Sequence, residues 1–291
     1  MLLDLSKYFD TLNHELLLNI LRRDIHDERV IQWIKRYVKS GVMESGVVHE
    51  TEEGSPQGGN LSPLLANIYL NEFDKEFEKR GVAFVRYADD IVLLAKSERA
   101  AQRLLESSTN FLEKKLKLTV NREKSRVVSV YSIRNFKFLG FALGRNAKGV
   151  FIRVHPKSWK KMKSKLKDLS SRRSVQSLKP ALGRIKVYMR GWLNYYKIAD
   201  MKKNIEELNG WLYHRIRACI WKHWKLPKTK RKNLMKLGIP EHYAHIAACS
   251  RKAYWFTSAT STVNRALSKE RLIHNGFYDL SIAYQSMHVN Y

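Results

Sequence analysis

Three carboxylates stand where phosphoryl-transfer chemistry would need them. Tyr87-Ala88-Asp89-Asp90 places two adjacent acids between apolar, β-rich runs at 83–87 and 91–95, a hairpin signal with a polar tip. Taken alone the pair reads first as an ordinary turn, because Asp is common in turns. Asp4 changes the weighing: it sits in a second short apolar run, 2–5, just ahead of a helical pattern. Neighbouring strands lie about 4.8 Å apart, so acids on adjacent strands can share two divalent cations spaced at about 3.5–4 Å. Such a pair activates an attacking hydroxyl and holds a departing pyrophosphate.

The elements that must carry these acids are legible from periodicity. Residues 13–23 place Leu16, Leu17, Ile20 and Leu21 at helical spacing, with Asp10 or Asn13 able to cap. A second helix is predicted at 29–40. A Gly/Pro/Ser-rich loop at 54–63 opens onto a helix at 64–80. An amphipathic helix at 100–117 precedes strands at 118–120, 125–130 and 137–143. From Ser158 onward the pattern is helical, interrupted at Pro180, Gly191, Pro227, Gly238 to Pro240 and Gly276. The order predicts an α+β fold, an antiparallel sheet with helices on one face, followed by an all-α half.

Charge divides the same way. The 291 residues carry 54 Lys/Arg against 27 Asp/Glu, a net charge of +27. Residues 1–100 hold 13 Lys/Arg and 17 Asp/Glu, whereas 101–291 hold 41 and 10. The first third therefore reads as a chemical site and the remainder as a surface for a polyanion. Composition alone would fit any basic nucleic-acid binder. Two cysteines, Cys219 and Cys249, exclude a disulfide framework and a Cys-based zinc site, and imply a reducing compartment. With no apolar run of membrane length and no signal peptide pattern, a cytoplasmic location without membrane contact is expected.

Three segments in order, Asp4-Leu5-Ser6-Lys7-Tyr8-Phe9-Asp10, Ser55-Pro56-Gln57-Gly58-Gly59-Asn60-Leu61-Ser62-Pro63 and Tyr87-Ala88-Asp89-Asp90, resemble consecutive motifs of the reverse transcriptase palm. The resemblance implies that Asp4, Asp89 and Asp90 are the catalytic carboxylates and the ligands of two Mg²⁺ ions. It implies that Phe9, with Tyr8 as the weaker claimant, lies under the nucleotide sugar and excludes a 2′-hydroxyl. Gln57 and Gly58 match the loop that lies against the incoming nucleotide and template; a plain helix-entry loop, which glycine and proline also explain, is the weaker reading. Asn121-Arg122-Glu123-Lys124 resembles the next motif, whose lysine is a candidate proton donor to pyrophosphate; a solvated lysine is an equal account of Lys124. Phe136 to Phe141 resembles the hairpin that grips the primer end.

The basic half extends the likeness. Lys157-Ser158-Trp159-Lys160-Lys161 and the stretch from Arg184 to Lys197 suit a thumb lying on a duplex, with Trp192 and Tyr195 expected to be buried. Trp221-Lys222-His223-Trp224-Lys225, Lys228-Thr229-Lys230-Arg231-Lys232 and Arg251-Lys252-Ala253-Tyr254-Trp255 resemble the maturase domain of group II intron proteins, which binds intron RNA for splicing. The implied organisation is a palm at 1–150, a helical thumb at 151–224 and a maturase domain at 225–291. A group II intron reverse transcriptase and maturase, part of a mobile element, is the expectation. Its implied partners are intron RNA, an RNA template with a DNA primer, and deoxynucleoside triphosphates. Cleavage of target DNA is not expected. In that family basic fingers precede the motif containing Asp4, whereas here Met1 stands three residues ahead of it. We therefore expect an N-terminally truncated enzyme, active either as a fragment or with a separate N-terminal fingers piece. A polymerase-inactive maturase serving only as a splicing cofactor is the alternative, and a generic basic RNA binder the third.

Overall fold

A computed structural model of the chain describes all residues except 41, 45–46, 50–52, 57–58, 130–135, 148, 173–176 and 288–291. Contacts divide it into two compact units, Met1–Leu139 and Gly140–Tyr291.

The first unit is built on a three-stranded antiparallel sheet in the order β1 (Leu2–Leu3), β5 (Asp90–Leu93), β4 (Phe84–Tyr87). Alternation sorts its faces: Leu3, Ile91 and Leu93 are buried, whereas Val85 and Tyr87 stand 55% and 65% exposed. The buried face packs on helices α1 (His14–Leu21), α2 (Glu28–Lys39), α3 (Ser62–Lys79) and α4 (Glu98–Asn110), around Leu17, Ile31, Tyr69, Phe73 and Phe77. Three of these helices start where a short polar side chain accepts an amide proton of the first turn: Asn13, Asp27 and Ser97. Pro63 occupies the first turn of α3, where its missing N–H is no loss. A small hairpin, β2 (Val42–Glu44) with β3 (Val47–His49), also forms.

Two expectations need correction here. The strands predicted at 118–120 and 125–130 contribute only single bridges, Leu5 to Val120 and Leu2 to Arg126. β1 is two residues long, and the turn closed by Ser125 N–H on the Asn121 carbonyl (2.9 Å) intervenes, so no ladder extends between them. The strand predicted at 137–143 begins later, as β6 (Phe141–Asn146), and pairs with β7 (Gly149–Val154). Polar residues around the turn hide this hairpin from an alternation test.

The second unit holds that hairpin and helices α5 (Pro156–Leu169), α6 (Leu178–Tyr196), α7 (Lys202–His223), α8 (Pro227–Lys236), α9 (Glu241–Ala248), α10 (Tyr254–Thr257), α11 (Ser261–Ala266), α12 (Lys269–His274) and α13 (Leu280–Met287). One core runs from Val154 to Tyr284 through Met189, Leu212, Tyr213 and Trp221. The division thus falls between Leu139 and Gly140 rather than at 150. Phe141 stacks on Tyr195 and tilts against Tyr196, while Val154 is buried with the helices, so the hairpin belongs to the helical side. The same core crosses position 225, where separate thumb and maturase units were expected.

Candidate active site

In the first unit, the register Leu2 to Val92 and Leu3 to Ile91 carries Asp4 to the end of β5, beside Asp90. Tyr87 pairs with Asp90, so the hairpin loop is only Ala88-Asp89, and Ala88 takes a left-handed φ of 52°. The acids thus come from the ends of two adjacent strands, as bridging chemistry requires. Asp4 is held through its backbone: its N–H donates to Ser125 Oγ (3.1 Å), and its carbonyl accepts from Asn121 N–H (2.9 Å).

Asp4 and Asp89 line one cleft of about 810 Å³, together with Phe9, Pro56, Asn60 and Lys124. Burial first, then the negative charges of Asp89 and Asp4, raises the Asp90 carboxyl above the ordinary carboxylate range; Lys137 and Lys124 oppose this. The cluster is short of positive charge. Lys124 supplies some, its Nζ lying 3.3 Å from Asp4 Oδ1.

The other wall is a loop tied to the segment after β1. Ser55 N–H donates to the Phe9 carbonyl (2.7 Å), Gly54 N–H to Leu12 (2.8 Å), and the buried His14 imidazole meets the Gly54 carbonyl (2.6 Å). Gly54 has φ +93°, and a Cβ there would lie 2.9 Å from the Asp10 carbonyl oxygen, so no side chain fits. Ser62 Oγ ties the loop to α3, donating to the Pro56 carbonyl (2.8 Å) and meeting Ser55 Oγ (2.7 Å) and Tyr37 Oη (3.0 Å). Of the two aromatic candidates, Tyr8 is buried with its hydroxyl on the Ala66 carbonyl, whereas Phe9 is half-buried at the cleft. Gln57 and Gly58 lie outside the described residues.

Among the described residues no three acidic, His or Cys side chains are grouped closely enough to hold a metal ion as they stand. The donor set still fits a hard divalent cation in kind: all oxygen and carboxylate-rich, with burial and then the charges of Asp89 and Asp4 raising the pKa of Asp90. Asp4, Asp89 and Asp90 are the residues that would hold it.

Sequence reasoning missed Arg86, Asp74 and Ser125. Arg86 shares the inward face of β4 with Phe84, and a charged residue on an inward face demands a buried partner. That demand was the available signal.

In the second unit, basic residues serve two ends. Arg215 donates to the Lys167 carbonyl (2.8 Å) and Ser170 Oγ (2.6 Å), Arg217 to the Leu267 carbonyl (2.8 Å), and Arg271 to those of Leu237 (2.6 Å) and Ala266 (2.8 Å). These guanidiniums close the C-terminal ends of α5, α8 and α11, where unpaired carbonyls and the helix dipole favour a cation. Lys230 is buried over the rings of Trp221 and Tyr254, and burial lowers its pKa. Lys228 and Lys232, by contrast, are exposed and flank a groove of about 510 Å³ with Arg231, His245 and Cys249.

Residues 1–143 match the reverse transcriptase (RNA-dependent DNA polymerase) family, and residues 159–238 match the group II intron maturase-specific domain. The chain belongs to the reverse transcriptase and maturase proteins of group II introns. Protein YkfC of Escherichia coli (strain K12) is 35% identical over 49% of this chain and 46% of its own length. The group II intron-encoded protein LtrA of Lactococcus lactis subsp. cremoris is 26% identical over 69% of this chain and 42% of its own. The chain spans less than half the length of either relative. A solved telomerase of Candida albicans in complex with a telomeric RNA fragment aligns over 89% of this chain and 50% of that one at 13% identity, with a TM-score of 0.44.

Proposed function

We propose that the protein is an RNA-directed DNA polymerase that also acts as the maturase of a group II intron. The observation that carries the first half is the convergence of Asp4 and Asp89 on one cleft with Asp90 adjoining. Two Mg²⁺ ions, when bound there, would activate a primer 3′-hydroxyl and hold the departing pyrophosphate. Asp4, Asp89 and Asp90 would hold them. Phe9 meets the sugar of a deoxynucleoside triphosphate, and Lys124 is released from Asp4 to face the leaving phosphates. By the motif resemblance alone, Gln57 and Gly58 would also meet the incoming nucleotide and template. The maturase half rests on the family match at 159–238 and on exposed cations such as Lys228 and Lys232, which suit intron RNA. The free thiols of Cys219 and Cys249 accord with a reducing, cytoplasmic setting.

Primer extension on an RNA template with Mg²⁺, by the chain and its Asp4→Asn variant, tests the polymerase. Extension by the chain that is lost in Asp4→Asn supports the reading. Extension that survives in Asp4→Asn removes the site assignment. Absence of extension together with salt-sensitive, specific binding of intron RNA leaves the splicing-cofactor function in its place.

A further inference from the structure

We propose that Arg86, anchored by Asp74, is a positioning residue that sets the angle of the Asp89 carboxylate. The guanidinium is nearly enclosed, its side chain 11% exposed. Nε lies 2.8 Å from Asp74 Oδ1 and 3.0 Å from Oδ2, and Nη2 also bonds Oδ2. Nη1 donates to Asn67 Oδ1 (3.1 Å) and to the Ala88 carbonyl (3.2 Å).

The last bond carries the inference. The Ala88 carbonyl belongs to the planar peptide that leads into Asp89, so a donor on that oxygen fixes the plane from which the Asp89 side chain springs. Ala88 itself takes a left-handed φ of 52°, which L side chains rarely adopt and which surroundings must enforce. Asn67 and Asp74 are seven residues apart on α3, hence on one helix face. α3 also accepts the Tyr8 hydroxyl at Ala66 and begins at the cleft with Ser62 and Pro63. Both walls of the cleft are thus referred to one helix, and Arg86 is the link on the acidic side. Lysine cannot replace it: a single ammonium lacks the planar fork that spans a carboxylate and two further acceptors at once.

The geometry stands without the polymerase reading, but its kinetic consequence rests on that reading. The test combines steady-state primer extension with Mg²⁺, active-site titration, thermal unfolding, and amide hydrogen exchange over residues 84–93, on the full chain and its Arg86→Lys and Asp74→Asn variants. We expect each variant to lower kcat per active site by about tenfold to a hundredfold, as small misplacements of reacting groups do. KM for deoxynucleotide and template should stay within twofold, the Mg²⁺ midpoint should rise, and exchange at the hairpin tip should quicken. A purely structural role would lower Tm and the active fraction while leaving kcat per active site unchanged, and that result overturns the proposal. Wild-type kcat in both variants overturns it equally. Should the unaltered chain extend no primer, the polymerase reading fails and exchange alone decides the positioning role. Quicker exchange confined to 87–90 upholds it, and unchanged exchange overturns it.

Discussion

The two units use charge in opposite ways. In the first, acids are gathered at a half-buried cleft with few cations, and burial first, then the neighbouring negative charges, raises the pKa of Asp90. In the second, cations abound, yet Arg215, Arg217 and Arg271 are turned inward onto helix ends, while Lys228 and Lys232 remain on the surface. On the function proposed above, the acidic cleft is the place for chemistry, whereas the basic side chains divide between architecture and a surface open to RNA. Net charge per unit does not tell the two uses apart; the partner of each side chain does.

The sharpest break of this comparison is a double dissociation. Asp89→Asn should lower primer extension by about 10³-fold or more, several kcal/mol of barrier, while RNA affinity by filter binding stays within twofold. Loss of both together would erase the division of labour. Next, Trp221→Ala should destabilise the second unit by about 3–5 kcal/mol in urea unfolding, the usual cost of emptying a buried aromatic site, and should also release Lys230 from its cage. The two classes of cation then separate. Arg271→Ala should cost about 1–3 kcal/mol of stability through the carbonyls it leaves unpaired. Lys232→Ala should leave stability unchanged while weakening RNA binding and reducing the salt slope by about one. Equal behaviour of the two would refute the distinction. The smallest effect concerns Asp90. Its raised carboxyl means the folded state binds the proton better than the unfolded one, so that contribution is present at low pH and lost as pH rises through the carboxylate range. Asp90→Asn should therefore raise Tm at pH 7, with the gain shrinking in acid, even though synthesis is lost.

The hairpin bearing Asp89 and Asp90 was legible because two apolar, β-rich runs flank a short polar tip, and helices α1 to α4 from their apolar periodicity, with Asn13 also legible as a cap. The place of Asp89 at a hairpin tip and of Asp4 at the end of a short strand was legible with it. What was not legible follows from tertiary demands. β7 contains Arg153, whose Nε donates to the Leu143 carbonyl across the hairpin (3.0 Å), and local pattern cannot foresee that partner. The basic half looked uniformly like a binding surface because an arginine that seals a helix end and one that meets phosphate have the same letter. The early end of the first unit escaped notice because the aromatic residues that capture Phe141 lie some fifty residues further on.

Gly54 carries one more consequence, in mutational tolerance. It and Gly81 share a left-handed backbone, but only Gly54 faces a neighbouring main chain; around Gly81 the space is open. A saturation library should therefore accept Asn at position 81, a residue that tolerates such a backbone. At position 54 it should return glycine alone, because even one added carbon would push apart the segment of Asp10 and the wall that faces the acids.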